Sequence, residues 1–248
     1  MVDIQKEIEK KFPNMNKKEN FLKKSLFKIA KKIVHEDSIN QFLTQNSHLK
    51  GFEFVDAVLD YFDFDYAVSS NDLQNIPTSG KVVIIANHPL GGLDALCLLR
   101  LISQVRKDVK IVANDFLAGF EALNSLIITI DNYKLKQSKS DIKKIYDALK
   151  NEEAVIIFPA GEVSRATAKG IKDPTWNKGF LNFAQNTNAP ILQIFLDAKN
   201  SKTFYTISVI NKTFSTLLLS HEMFNKKSKR INIKVGQIIP NENIAPKG

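Results

Sequence analysis

Lys81-Val82-Val83-Ile84-Ile85-Ala86-Asn87-His88-Pro89-Leu90-Gly91-Gly92-Leu93-Asp94 is the stretch on which the fold turns. Lys81 to Ala86 is short, apolar and β-branched, the composition of a strand buried on both faces. Pro89, Gly91 and Gly92 then bend the chain sharply, and Ala95 to Val105 reads as a helix. In open α/β sheets, ligands sit outside the ends at which buried strands deliver the chain to its loops. His88 stands at such an end. The turn can bring Asp94 back toward the imidazole at the start of the next helix. A carboxylate on one ring nitrogen fixes the tautomer and supports positive charge, freeing the other nitrogen to take a proton. The same spacing also fits a structural histidine in a turn, with Asp94 as a helix N-cap.

Outward from this stretch, the pattern alternates. Strands are expected at Val109 to Ala113, Ser125 to Ile130, Ala154 to Phe158, Ile191 to Leu196, Phe204 to Val209 and Ile231 to Val235, with helices at Ser140 to Lys150 and Asn177 to Asn186. Alternation of this kind predicts an α/β fold with a central, mostly buried sheet flanked by helices. Ahead of it, Phe42 to Phe64 has helical spacing, with Phe52, Val55, Leu59 and Phe62 on one stripe, and Asn71 to Gly80 reads as loop. Residues 1–36 also have near-helical apolar spacing (Ile4, Ile8 and Phe12, then Phe21 to Ile33), broken at Pro13-Asn14 and studded with lysines at 17, 18, 23, 24, 28, 31 and 32. The expected organisation is a helical N-terminal segment, 1–65, leading into an α/β domain, 66–248.

The 248 residues are 44% apolar and 25% charged, enough to bury a sizeable core. A net charge of +9 calls for an acidic partner: nucleic acid, an anionic membrane surface or an acidic carrier protein. Aromatic residues do not interleave with Lys and Arg as in a stacking platform, and zinc-finger, KH and RRM signatures are missing, so nucleic acid is not the expected partner. Cys97 is the single cysteine, which excludes an internal disulfide and fits a core position. Met1 is followed by charged residues and no run approaches 18 apolar residues, so neither a secretory signal nor a membrane span is expected. The lysine-rich first helix either lies in a membrane interface or presents an ordinary solvated face.

A second loop follows the strand Val155-Ile156-Ile157: Phe158-Pro159-Ala160-Gly161-Glu162-Val163-Ser164-Arg165. Pro159 and Gly161 allow close approach to a substrate. Glu162 can orient donors, and Ser164 and Arg165 can hold an anion or a polar headgroup; a strand-to-helix turn with surface charges reads equally from these residues alone. Trp176 and Phe180 are core or groove residues. His35, His48 and His221 show no partner spacing and read as surface or structural.

Asn87-His88 through Asp94, followed by the Phe158-Pro159-x-Gly161 block, resembles the glycerolipid acyltransferase superfamily, which pairs Asn-His-x-x-x-x-Asp with Phe-Pro-Glu-Gly-Thr-Arg. The fuller motifs look like a bacterial, hemolysin-like branch, some of whose members acylate amino-acid lipids such as ornithine or glycine lipids. The similarity runs from about Ile39 to Ile239 by pattern, taking in Gly51 to Asp56, Asp173-x-x-Trp176-x-Lys178-Gly179-Phe180 and Ala189-Pro190. The resemblance implies a fatty acyl transfer from an acyl-ACP or acyl-CoA thioester, used as co-substrate, to a lyso-lipid hydroxyl, with no metal or bound cofactor. It implies His88 as base and Asp94 as its orienting group. Asn87, Gly161, Glu162, Ser164, Arg165 and Lys178 become substrate-binding residues, with backbone amides of the glycine-containing loops stabilising the oxyanion. A cytoplasmic protein, peripheral on the inner face of the cell membrane, follows from the same resemblance.

Three departures stand out. Five residues separate His88 from Asp94 where the family has four, and Gly91-Gly92 can absorb the extra one. Ala160 stands where the family has Glu, with Glu162 two positions on. Ile127 to Lys134 lacks the arginine that clamps a phosphate in phosphate-acceptor members, leaving Lys134 as a point charge and favouring an amino-acid-linked lyso-lipid. Asp115 follows a strand and is left without a role. N-acyl transfer remains an alternative. A serine lipid hydrolase has the right residue types but lacks the G-x-S-x-G elbow.

Overall fold

A computed structural model describes residues 3, 21–113, 119–130 and 139–244. Asp115, Lys134 and the first part of the N-terminal pattern, with Ile4, Ile8 and Phe12, lie outside them. The described chain opens with α1 (Phe21–Val34), α2 (Glu36–Gln45) and α3 (Gly51–Tyr61). Then come β1 (Asp65–Ala67), α4 (Ser70–Gln74), β2 (Val82–Ala86), α5 (Gly92–Ser103), β3 (Val109–Ala113), β4 (Ile127–Thr129), α6 (Lys139–Lys150) and β5 (Ala154–Ile157). A hairpin of β6 (Arg165–Thr167) and β7 (Gly170–Lys172) precedes α7 (Gly179–Thr187), β8 (Ile191–Asp197), α8 (Lys202–Ile210), α9 (Lys212–Asn225) and β9 (Arg230–Ile239).

The fold is α/β, as the alternation predicts. Seven strands form a sheet in the order β1-β9-β8-β2-β5-β3-β4, parallel except where β9 runs antiparallel to β8. Every residue of β2 is buried because it lies mid-sheet with both faces covered. Its alternation divides the core. Val82, Ile84 and Ala86 join Phe54, Val55 and Leu59 of α3 and the apolar side of α5 in one cluster. Val83 and Ile85 join Ile145 and Leu149 of α6 and Ala184 of α7 in the other. Cys97 is fully buried in the first, as its apolar surroundings predict.

The anticipated strand at Phe204 to Val209 is instead α8. Its β-branched residues carry strand propensity, but Ser201 caps the segment by accepting from Phe204 N at 3.0 Å, and capping decides the local conformation. Asn211 does the same for α9, accepting from Phe214 N at 2.9 Å; that helix has no counterpart among the sequence expectations. The helical stretch 42–64 is two helices, α2 and α3, parted where Asn46 folds its amide back onto the Phe42 carbonyl. The expected loop 71–80 begins within α4, capped by Ser69. Beyond Ile191, which joins the second cluster, the same face of β8 leaves Gln193, Phe195 and Asp197 exposed in alternation, so the sheet is uncovered there.

Candidate active site

Asn87 leaves β2 and its amide bridges to the next strand: Nδ2 donates to Leu196 O at 2.9 Å, and Oδ1 accepts from Leu196 N at 2.8 Å. The side chain thereby continues the β2–β8 ladder for one more residue and fixes where His88 begins. Both its hydrogen-bonding atoms are committed to backbone. Asn87 is a positioning residue that also forms part of a groove wall.

His88 is held at its ring and at its peptide. Nδ1 lies 3.0 Å from Asp94 Oδ2, and the ring stacks on Phe158 with centroids 4.0 Å apart. The backbone N–H points between both oxygens of Asp173, at 3.3 Å each, and the carbonyl accepts from Ser164 N at 2.8 Å. No described residue bonds to Nε2. The imidazole is thus oriented by Asp94, packed by the second loop and left with one free nitrogen.

Asp94 occupies the first turn of α5 and is fully buried. Three donors converge on Oδ2: the imidazole, Leu90 N at 2.7 Å and Gly91 N at 3.0 Å. These bonds close the five-residue gap, and Gly91 makes that possible with φ 93 and ψ −126, a conformation essentially restricted to glycine. Burial pushes the carboxyl up from the usual carboxylate range, against the downward pull of His88 and the two amides. Oδ1 is buried without a partner.

The second loop is stitched to the first through Ser164 and Asp173. Ser164 is 5% exposed, and its hydroxyl donates to Asp173 Oδ1 at 2.5 Å. Trp176 Nε1 donates to Asp173 Oδ2 at 3.0 Å. One carboxylate therefore gathers the His88 peptide, the Ser164 hydroxyl and the Trp176 indole. Asp173 was not among the residues assigned to the site from sequence; the Asp-x-x-Trp spacing was its signal, but its reach across to His88 depends on the hairpin between them.

Arg165 turns away from any carboxylate bond. Its guanidinium donates to the hydroxyls of Ser215 and Thr216, the latter at 3.3 Å, and lies over the Phe204 ring. Nε is buried without a partner, and burial lowers the group's pKa against the opposing charge of Glu162. Glu162 itself pairs with Lys212 Nζ at 2.7 Å. Gly161 sits at φ 68 with open space around its missing side chain. Lys178 is exposed at the start of α7 and, like Gly161, Glu162 and Arg165, is not in the groove wall, which takes in Asn87 and Ser164 of the predicted binding residues.

A groove of about 650 Å³ runs along the uncovered sheet face. Its walls include Asn87 and Pro89, the two sequence neighbours of His88, with Ser164 and Asp173, but not the imidazole itself. Ile171, Trp176 and Phe195 supply apolar surface, each partly exposed, and Lys172, Lys199 and Lys234 supply charge. Trp176 is therefore a groove residue, while Phe180 packs against the second core cluster. The described residues contain no cluster of His, Cys, Asp or Glu able to hold a metal.

A family profile described as Acyltransferase matches residues 8–246. The chain belongs to the acyltransferase family. Two curated relatives share 29% identity with this acyltransferase over 247 residues, 97% of its length. Both are lyso-glycine lipid O-acyltransferases: one from Phocaeicola vulgatus, covered over 86% of its length, and one from Bacteroides thetaiotaomicron, covered over 89%. Among solved structures, the 1-acyl-sn-glycerophosphate (LPA) acyltransferase PlsC from Thermotoga maritima is similar at 16% identity and a TM-score of 0.49, over 90% of this chain and 85% of that one. No helix among the described residues is long and apolar enough to cross a membrane.

His35 and His221 do have partners: each other. His35 Nε2 lies 2.9 Å from His221 Nδ1, and Phe224 stacks on His35 at 4.0 Å. The contact joins the α1–α2 corner to α9 across 186 positions, a separation that no local spacing announces.

Proposed function

We propose that the enzyme transfers a fatty acyl group from an acyl-ACP or acyl-CoA thioester to the hydroxyl of a lyso-lipid, with His88 as general base. The observation that carries this reading is the His88–Asp94 pair at 3.0 Å with Nε2 free of described partners. Nε2 takes the acceptor's proton as its oxygen attacks the thioester carbonyl carbon. The tetrahedral oxyanion then collapses, the carbon–sulfur bond breaks, and the thiolate receives that proton from His88, leaving an ester and a thiol. Asp94 stabilises the imidazolium between the two transfers.

Backbone amides near the ring have distinct duties. Those of Leu90 and Gly91 serve Asp94, and that of Gly161 bonds to Phe158 O. In the second loop, the amides of Ala160, Glu162 and Val163 have no described partner and are the candidate donors for an oxyanion. The groove beside His88 offers apolar wall for an acyl chain and lysines for an anionic group. The names of the two relatives favour a lyso-glycine lipid as acceptor, in line with the missing arginine in 127–134. On this reading the enzyme works at the inner face of the cell membrane, its positive charge drawn to anionic lipid.

Hydrolysis is the weaker reading for a geometric reason. The Ser164 hydroxyl donates to Asp173 and makes no bond to the imidazole, so Ser164 is not the activated serine of a hydrolase. The test is to supply labelled acyl-ACP and acyl-CoA with lyso-glycine lipid, lyso-ornithine lipid, lysophosphatidic acid and a free amino acid. Ester formation on a lyso-lipid supports the proposal. Acceptor-independent release of fatty acid, or an amide product, contradicts it.

A further inference from the structure

The corner between α8 and α9 ends in an apolar point. Val209 is 69% exposed, Ile210 81% and Phe214 44%, all within six residues. Large apolar side chains grouped at this exposure stand out on the surface of a soluble domain and mark an interaction site. The corner is built as a projection: Asn211 closes α8 and caps α9, so the chain reverses with Val209 and Ile210 at the turn.

Charge around the corner is mostly positive, with Glu162, paired to Lys212, the carboxylate that reaches it. Residues 198–221 contain Lys199, Lys202 and Lys212 and no carboxylate. Residues 163–172, which form the hairpin packed against α8, contain Arg165, Lys169 and Lys172 and again no carboxylate. Lys169, Lys172, Lys199 and Lys202 are exposed and ion-paired with no described residue. An apolar tip on a basic collar is the pattern of an element that enters the acyl boundary of an anionic bilayer while its cations meet the headgroups.

The corner is also wired to the site. Lys212 bonds to Glu162, and Arg165 bonds to Ser215 and Thr216 near the start of α9. Ser164, next to Arg165, holds the His88 carbonyl. A short chain of contacts thus joins the tip to the catalytic loop.

We infer that Val209, Ile210 and Phe214 form a wedge that inserts into an anionic membrane and seats the active site over its lipid acceptor. The inference rests on the lyso-lipid acyltransferase reading for what the seated enzyme does, and on the exposed corner alone for where it binds.

The test compares the full chain with a Val209→Ser/Ile210→Ser variant on vesicles of phosphatidylcholine and phosphatidylglycerol in equal parts. Both side chains are exposed, and an unchanged melting midpoint establishes that the variant folds. The expected result is a loss of vesicle affinity of about tenfold or more, with transfer to a vesicle-embedded lyso-lipid falling in step. Transfer to a short-chain, water-soluble lyso-lipid stays at the wild-type level. An environment-sensitive dye on Ile210→Cys, with Cys97 fully buried and unreactive, is expected to shift to the blue on these vesicles. Wild-type vesicle affinity in the double variant, or an unshifted dye, overturns the wedge. So does a defect confined to acyl-ACP binding or to self-association, which would assign the corner to a carrier protein or to a second copy. If wild-type enzyme acylates no lyso-lipid yet needs the corner to bind vesicles, the functional reading fails and the wedge stands.

Discussion

Replacing Asp94 with Asn removes one charge and leaves volume almost unchanged, which makes its consequence calculable. Oδ2 accepts from His88 Nδ1, Leu90 N and Gly91 N, so the asparagine carbonyl must take that place; an NH2 there would meet three donors. The NH2 then occupies the position of Oδ1, which is buried without a partner. One unpaired buried atom replaces another, so folding stability changes by less than the full penalty of about 1–3 kcal/mol for such a group. The kinetic effect comes from the missing charge. With charge centres about 4 Å apart and an effective dielectric near 20, a carboxylate stabilises an imidazolium by about 4 kcal/mol. At about 1.36 kcal/mol per decade, the single-turnover rate of acyl transfer falls by about a thousandfold. Acceptor KM stays near wild type, because Asp94 is fully buried and touches no substrate. The assay is rapid-quench transfer at saturating acceptor, with urea unfolding run in parallel. A folded Asp94→Asn enzyme with a rate within about threefold of wild type would refute the reasoning.

Asp173→Ala removes the acceptor for Ser164 and Trp176 and frees the His88 peptide; urea unfolding should show a loss of about 1–3 kcal/mol. Its kcat should fall while Asp173→Asn, which keeps a carbonyl acceptor, recovers part of both losses. Ser164→Ala should retain transfer with a loss below about tenfold, since the serine positions rather than attacks; abolition in a folded variant would restore a nucleophilic role. The His35–His221 contact makes stability depend on pH. Burial and the neighbouring His221 lower the His35 pKa, so the folded chain favours the neutral ring. That contribution is full above the unfolded value of about 6.5 and is lost as pH falls through it toward the lower folded value, because the unfolded chain then binds more protons. Melting midpoints are expected to drop from about pH 7.5 to about pH 5, and His35→Asn, which tolerates the left-handed backbone at φ 60, should flatten the slope.

Much of the sheet was legible because its central strands are buried on both faces. Val82 to Ala86 and Ala154 to Ile157 are unbroken apolar runs that no amphipathic helix would produce. Phe204 to Val209 misled for the opposite reason: its β-branched residues lie on a helix whose start is decided by Ser201, a single capping residue outside the run. The His88–Asp94 contact was readable from spacing plus the glycine pair, since both residues lie within one turn of chain. Asp173 and the Asn87–Leu196 bridge were not, because each joins positions separated by a strand or more. Arg165 was expected to bind substrate, and its commitment to Ser215 and Thr216 follows from α9, a helix absent from the sequence reading.

The central claim is that His88 Nε2 moves the proton. The most direct measurement is single-turnover transfer of a labelled acyl thioester to lyso-glycine lipid by His88→Ala, with an unchanged melting midpoint as the folding control. The account predicts a rate lower by about a hundredfold to ten-thousandfold. Transfer at the wild-type rate by the folded variant would contradict it.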